Sequence, residues 1–243
     1  MRKLILVGLM LLASQIAQAK IDVTVGPEVS YVSYRERSLP FGRDIIDVKI
    51  DGVMYGIKGT AEYTDKIYLA VDGKYAIGEV DYSGSGTIDD IEDTMYEVRG
   101  LVGVQIQKVI VYSGYGYRYL NDDMSGKLTS TGLFGYERES NYQYIPIGIK
   151  VWKLQGEIDV LTVGEQVSHL DAIGVGFPEL RHKQNRGAGF KLSLDLNKTI
   201  WNMDLHLTPF FRAWKVQDSK TDDGFREPRN TSLELGGQVA IKF

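Results

Sequence analysis

The run 230–243 alternates without a break. Thr231, Leu233, Leu235, Gly237, Val239, Ile241 and Phe243 fall on one side of an extended chain. Asn230, Ser232, Glu234, Gly236, Gln238, Ala240 and Lys242 fall on the other. A period of two is the signature of a strand, since a helix needs a period of 3.6. One face is mainly apolar and the other mainly polar, so the strand must separate two unlike media.

The opposite end reads as a secretory signal peptide. Arg2 and Lys3 are its charged start, Leu4 to Ala13 its apolar run, and Ala17-Gln18-Ala19 its cleavage site. The apolar run is well short of the ~20 residues that span a bilayer. The expected division is residues 1–19 as signal and residues 20–243 as one barrel. There is no cysteine, so a lipoprotein anchor, disulfides and thiolate metal sites are excluded. Without Arg2 and Lys3 the chain holds 26 basic and 32 acidic residues, a formal charge of −6. That balance argues against nucleic acid as a partner, which calls for a basic face.

Strands are expected near 22–35, 53–64, 67–80, 94–106, 109–120, 141–152, 155–165, 187–198, 203–216 and 229–243. Their connections alternate in length. Tyr63-Thr64-Asp65-Lys66, Gln107-Lys108, Lys153-Leu154 and Thr199-Ile200-Trp201-Asn202 are tight turns, while 36–52, 81–93, 121–140, 166–186 and 217–228 are long and polar. This asymmetry fits an all-β, transmembrane, antiparallel up-and-down barrel of ten strands, with short periplasmic turns and long extracellular loops. An eight-stranded barrel with longer loops is the alternative. Pro27, Pro146 and Pro209 fall inside expected strands and mark bulges or strand ends, because proline cannot donate to a ladder. Alternation in 67–80 falters after Ile77, as a bulge near Gly78 would make it do. Tyr31, Tyr55, Tyr63, Tyr75, Tyr96, Tyr117, Tyr119, Trp152 and Trp201 near strand ends suit aromatic girdles.

Alternation assigns the inward charges. The basic set is Lys58, Lys74, Arg99, Arg118, Lys150, Lys191, Arg212 and Lys242. The acidic set is Glu28, Glu62, Asp72, Glu97, Glu157, Asp159, Asp195, Asp204 and Glu234. Side chains fill a barrel of about eight strands, whereas open channels need about sixteen. Packed charges must then be paired. A salt-bridged, mostly occluded lumen follows. Gly100, Gly103, Gly114 and Gly116 either leave a void there or make room for large neighbours.

Asp204-x-His206 places an acid and an imidazole on one strand face, near a tight turn, and reads as an interior hydrogen-bonded pair. His169 and His182 share the fourth long loop, and two histidines without a carboxylate or third ligand make a poor metal site. His182 sits among Arg181, Lys183 and Arg186, near Phe177; with Phe41 and Arg43 of the first loop these are the candidate binding residues. The second loop carries Asp81, Asp89, Asp90, Glu92 and Asp93, oxygen donors without EF-hand spacing. No serine-hydrolase, zinc-protease or phosphate-loop motif occurs. No catalytic, cofactor or metal residue is assigned.

With Ala17-Gln18-Ala19, the alternating strands and the terminal Leu235-Gly-Gly-Gln-Val-Ala-Ile-Lys-Phe243, the chain resembles the Gram-negative outer-membrane β-barrel proteins. The resemblance implies export to the outer membrane, with Phe243, Ile241 and Val239 read by the barrel-assembly machinery. It implies outer-membrane lipid and lipopolysaccharide as surroundings and a monomeric state. Ten-stranded relatives include omptin proteases and Opc-type adhesins. Omptin catalysis implies an Asp pair facing an Asp–His pair at the outer mouth; Asp89-Asp90 mimics the first, but Asp204 and His206 lie at the wrong end. Barrel-type lipid A deacylases use an outer-wall His–Ser pair that does not stand out here. The expected role is therefore surface binding to an unknown ligand, or envelope structure, through the external loops. A narrow channel for small solutes is the alternative; a hydrolase lacks a placed acid–base–nucleophile set. Removing 168–184 is expected to leave folding intact and abolish adhesion.

Overall fold

The structure, a computed structural model, describes residues 21–38, 45–174, 176–220 and 226–243. The signal peptide, Phe41 and Arg43 lie outside the described residues. The strand segments are β1 Ile21–Ser38, β2 Ile45–Thr64, β3 Ile67–Ser83, β4 Thr87–Ile106, β5 Val109–Asp123, β6 Glu137–Val151 and β7 Leu154–Ser168. They continue as β8 Leu180–Lys183, β9 Gly187–Leu194, β10 Leu196–Ile200, β11 Met203–Val216 and β12 Arg229–Lys242. β1 to β7 pair antiparallel in succession, β9 pairs β7 and β11, β11 pairs β12 and β12 pairs β1, so the sheet closes. β8, β9 and β10 fill one position between β7 and β11. The result is a closed ten-stranded antiparallel barrel. Closure through β9 leaves no free edge strand, the condition for a sheet to cross lipid.

The breaks in that composite strand have local causes. β9 stops at Leu194, which by register faces Pro209 of β11, a residue with no N–H to offer. Asp195 donates instead across to the carbonyl of Lys153 at 2.8 Å. Pro27 likewise interrupts the ladder to β12, which skips from Val25–Ile241 to Glu28–Gln238. All three prolines remain inside strands. The bulge expected near Gly78 is displaced: pairing with β4 shifts between Val80 and Tyr82.

The turn at Trp201-Asn202 has positive φ at both residues (49° and 61°), the pattern of a type I′ hairpin. Gln107 and Trp152 take positive φ at the first position of their turns (56° and 55°). The opposite connections are shorter than the sequence suggests. The second collapses to Gly84-Ser85-Gly86, the third to 124–136, and the fourth splits around β8. The reason is visible on the outer wall of β3. Ile67, Leu69, Val71, Tyr75 and Ile77 point outward, and Glu79 and Asp81 follow on the same face. β4 repeats this, with Tyr96, Val98, Val102, Val104 and Ile106 below Glu92 and Thr94. Each strand thus has an apolar belt and, beyond it, a stretch with polar residues on its outer face. That stretch still pairs but has lost the apolar–polar contrast that reveals a strand in sequence.

Tyrosines crowd the upper margin of the belt. Tyr96 stacks on Tyr119 with ring centroids 4.7 Å apart. Tyr117 donates to Asn141 Oδ1 at 2.6 Å and Tyr119 to Glu139 Oε1 at 3.0 Å. Trp152 and Trp201 are 83% and 88% exposed in the tight turns at the other margin. Rings with polar tips favour these two interfaces.

Candidate functional site: the lumen and its outer mouth

Inward residues stack in layers. Nearest the tight turns lies a cavity of about 360 Å³, whose lining includes Lys58, Glu62, Lys150, His206 and Lys242. Lys150 pairs with Glu62 at 2.7 Å and Lys242 with Asp22 at 2.7 Å. His206 Nδ1 lies 2.8 Å from Asp195, whereas Asp204 is exposed at the rim and accepts from Thr199 Oγ1 at 2.6 Å. The expected Asp204–His206 pair is therefore replaced by an Asp195–His206 pair between adjacent strands. A carboxylate two residues along the same strand is a poorer partner here than one diagonally across the wall, two residues from Asn197, which His206 faces.

Above this cavity Arg99 binds both Asp72 and Glu157, the latter at 2.5 Å. Tyr112 adds a hydrogen bond to Glu157 at 2.8 Å, and Thr60 one to Asp72 at 2.8 Å. The next layer has Arg212 on β11, which donates to Glu97 at 2.5 and 2.9 Å and to Asp159 at 3.1 Å. Glu97 is on β4, on the opposite wall. Lys74 joins Glu28, at 2.6 Å, to Glu234. Every one of these carboxylates is buried. Of the remaining inward candidates, Lys58, Arg118 and Lys191 show no ion pair within 4 Å among the described residues, and Arg118 Nε is a buried donor without a partner.

The glycines leave no void. A Cβ on Gly116 would lie 2.3 Å from the Tyr144 ring, and one on Gly148 2.2 Å from that of Tyr112. These positions are bare because tyrosines cross them on the way to Glu97 and Glu157. Gly103 is closed by Tyr112 and Gly114 by the Gly100 carbonyl. Apolar packing then closes the upper lumen, with Ile50, Met54, Val80, Ile91 and Met95 on one side and Tyr142, Leu161, Trp214 and Val216 on the other. The cavities within the charged and apolar layers are about 30 Å³ each, space for one or two waters.

The outermost layer escaped sequence reasoning. Arg138 donates to Asp122 at 2.9 and 2.7 Å and also binds Glu36, to which Tyr34 donates at 2.7 Å. Buried Glu227 stands beside Glu36. Parity was the available signal: Glu36 continues the inward series of Glu28, Asp122 that of Arg118, and Arg138 that of Lys150. Glu227 is in a connection and carried no signal. Burial and the Glu36 charge push its carboxyl up to about 8. Asp93, also above the belt, is raised by burial and by Asp122.

The sign of the Glu227 effect is fixed by linkage. Its folded-state value exceeds the usual 4.5, so its contribution to stability is whole below about pH 4.5 and is lost as pH rises through about 8. Wild-type protein should therefore have a lower urea midpoint at pH 9 than at pH 5, and Glu227→Gln should remove most of that difference. An undiminished difference in the variant would assign it elsewhere.

The loop candidates are not one surface. Arg181 and Lys183 point outward from β8, His182 points inward and is buried, Arg186 is exposed, and Phe177 is half exposed. Because β8 pairs with β7, removing 168–184 would cut the wall itself. The acids of the second expected loop also disperse: Asp93 turns inward while Asp89, Asp90 and Glu92 face solvent on β4. Val239, Ile241 and Phe243 share the outward face.

The sequence matches no protein-family model and no curated protein. Solved structures do resemble the fold. The outer membrane protease OmpT from Escherichia coli has a TM-score of 0.53 at 11% identity, over 92% of this chain and 95% of that one. The translocator domain of the autotransporter NalP from Neisseria meningitidis gives 0.44 at 12%, over 95% and 91%. The COG4313 outer membrane channel from Pseudomonas putida F1 gives 0.41 at 10%, over 92% and 96%. A closed ten-stranded barrel, an apolar belt and the likeness to OmpT together give the chain the fold of the Gram-negative outer-membrane β-barrels.

Proposed function

We propose that the chain resides in the outer membrane as a monomeric barrel with an occluded lumen, and that it acts at its outer face, in surface binding or envelope structure. The carrying observation is the set of clamps across the lumen. Arg99, Arg212, Arg138 and Lys74 each join acids from two different strands. A solute following the axis must part them, and breaking a buried pair costs about 3–5 kcal/mol.

The outer wall supports the choice of face. Above the apolar belt, Arg35, Arg181, Lys183 and Lys215 point outward on β1, β8 and β11. Glu79, Asp81, Glu92, Asp123, Glu137, Glu139 and Glu165 do so on β3 to β7. One arc is thus basic and the other acidic. The basic arc stands where headgroup phosphates meet the belt, and lysine and arginine suit phosphate. Lipopolysaccharide is the ligand this arc fits. The triple variant Arg35→Ser, Lys183→Ser, Lys215→Ser should fold normally and bind purified lipopolysaccharide at least 10-fold more weakly at 0.1 M salt. Unchanged affinity would sink the assignment.

A narrow channel is the second reading, favoured by the 360 Å³ cavity that enters from the tight-turn end and reaches Arg99. Conductance separates the two.

A further inference from the structure

His169, Asp171 and Glu179 come together beside the acidic arc. One ligand atom from each lies within 4.8 Å of the others. The sequence suggested a histidine with no carboxylate near it; the fold surrounds that histidine with them. His169 and Asp171 sit at and within the 3₁₀ turn Leu170–Ile173, which follows β7, and Glu179 directly precedes β8. The pairing of β7 with β8 folds the connection back on itself and brings the three together.

The contacts have the form of a first and a second coordination shell. His169 Nδ1 stands 3.2 Å from Glu179 Oε2. Two ligands on a tetrahedral zinc, each about 2.0–2.2 Å from the metal, lie about 3.3 Å apart. The other oxygen of Glu179, Oε1, is held by Arg181 Nε at 2.5 Å, which leaves Oε2 facing the imidazole. On the far side of the ring, Nε2 is shut off from solvent and has no hydrogen-bond partner. The Glu139 carboxylate lies 3.8 Å from it and is anchored by Tyr119 at 3.0 Å. Histidines that ligate metal through one nitrogen commonly give the other N–H to a carboxylate. The local charge also calls for a cation. Glu139, Asp171 and Glu179 gather around one imidazole, and Glu165 lies 3.8 Å from Arg181, the one cation paired to these acids among the described residues.

We propose that His169 Nδ1, Asp171 and Glu179 bind a divalent transition metal, with zinc the best match, and that Glu139 orients the imidazole. A nitrogen donor beside two carboxylates suits zinc, whereas calcium and magnesium favour all-oxygen sets. Binding fastens the 3₁₀ turn to the β8 end of the loop and, through Glu139, to β6. The inference is independent of the lipopolysaccharide reading, since none of the residues substituted to test that reading belongs to it.

The test is isothermal titration of the full refolded barrel in detergent with zinc chloride. One zinc per barrel is expected, undisturbed by millimolar calcium or magnesium. His169→Ala and Asp171→Asn should each abolish it, and Glu139→Gln should weaken it about 10–100-fold. His182→Ala and His206→Ala should leave it intact. Heat-modifiable gel mobility checks that each variant has folded. Absence of a one-to-one site, displacement by calcium, or wild-type affinity in folded His169→Ala or Asp171→Asn would overturn the proposal.

Discussion

Replacing Arg212 by Met should cost about 3–5 kcal/mol of folding stability, more than any surface substitution on this barrel. Arg212 is buried and serves two acids, Glu97 and Asp159, on different strands. It also accepts no help from solvent, because the Tyr144 and Trp214 rings lie against it, with centroids 5.7 and 5.3 Å from the guanidinium carbon. Methionine fills much of the volume but leaves both carboxylates buried and uncompensated. The loss should be largely recovered in the triple variant Arg212→Met, Glu97→Gln, Asp159→Asn, where no charge remains to be compensated. Buried ionic groups replaced together by neutral ones of similar volume are often no worse than the originals. Urea midpoints of folded protein in lipid, compared across the two variants, measure this. A single substitution costing under about 1 kcal/mol would show that water reaches the carboxylates, since only exposed pairs are worth so little.

Within the belt the sequence was legible because lipid outside and charge inside enforce contrast at every second residue. Leu192 against Lys191, and Phe211 against Arg212, place themselves. The closed barrel and its ten strands could be read from that contrast and from the tight turns. Above the belt the same rule loses its signal. Asp51, Glu79 and Glu139 face water, so β2 and β6 were expected to begin too late and β3 to end too early. The hidden layer around Arg138 is a direct consequence. Partnership was less legible than direction. Parity aims His206 inward but does not say that Asp195, rather than Asp204, will meet it, because cross-strand register is set by turns and breaks such as that at Pro209. The carboxylate cluster around His169 was illegible for a further reason: its members come together through the path of a connection, and no period describes that path.

The glycines bear on the second large expectation. Gly100, Gly103, Gly114 and Gly116 were compatible with a void, yet tyrosines and backbone fill the space beside three of them, and Gly100 faces outward. The chain should therefore be electrically silent. The Arg99 and Arg212 layers are bridged by carboxylates from other strands, the 360 Å³ cavity ends at the Arg99 layer, and the cavities beyond it hold only a water or two. The barrel is only a little wider than the eight-stranded size that side chains fill, and far below the sixteen or so of an aqueous pore.

Single-channel recording of the refolded protein in a planar bilayer tests this most directly. Protein shown to be folded by heat-modifiable gel mobility is expected to give no resolvable openings at moderate voltage. Steady, resolvable openings would contradict the account: the lumen would be continuously wet, and the paired charges around Arg99 and Arg212 would line a conducting path.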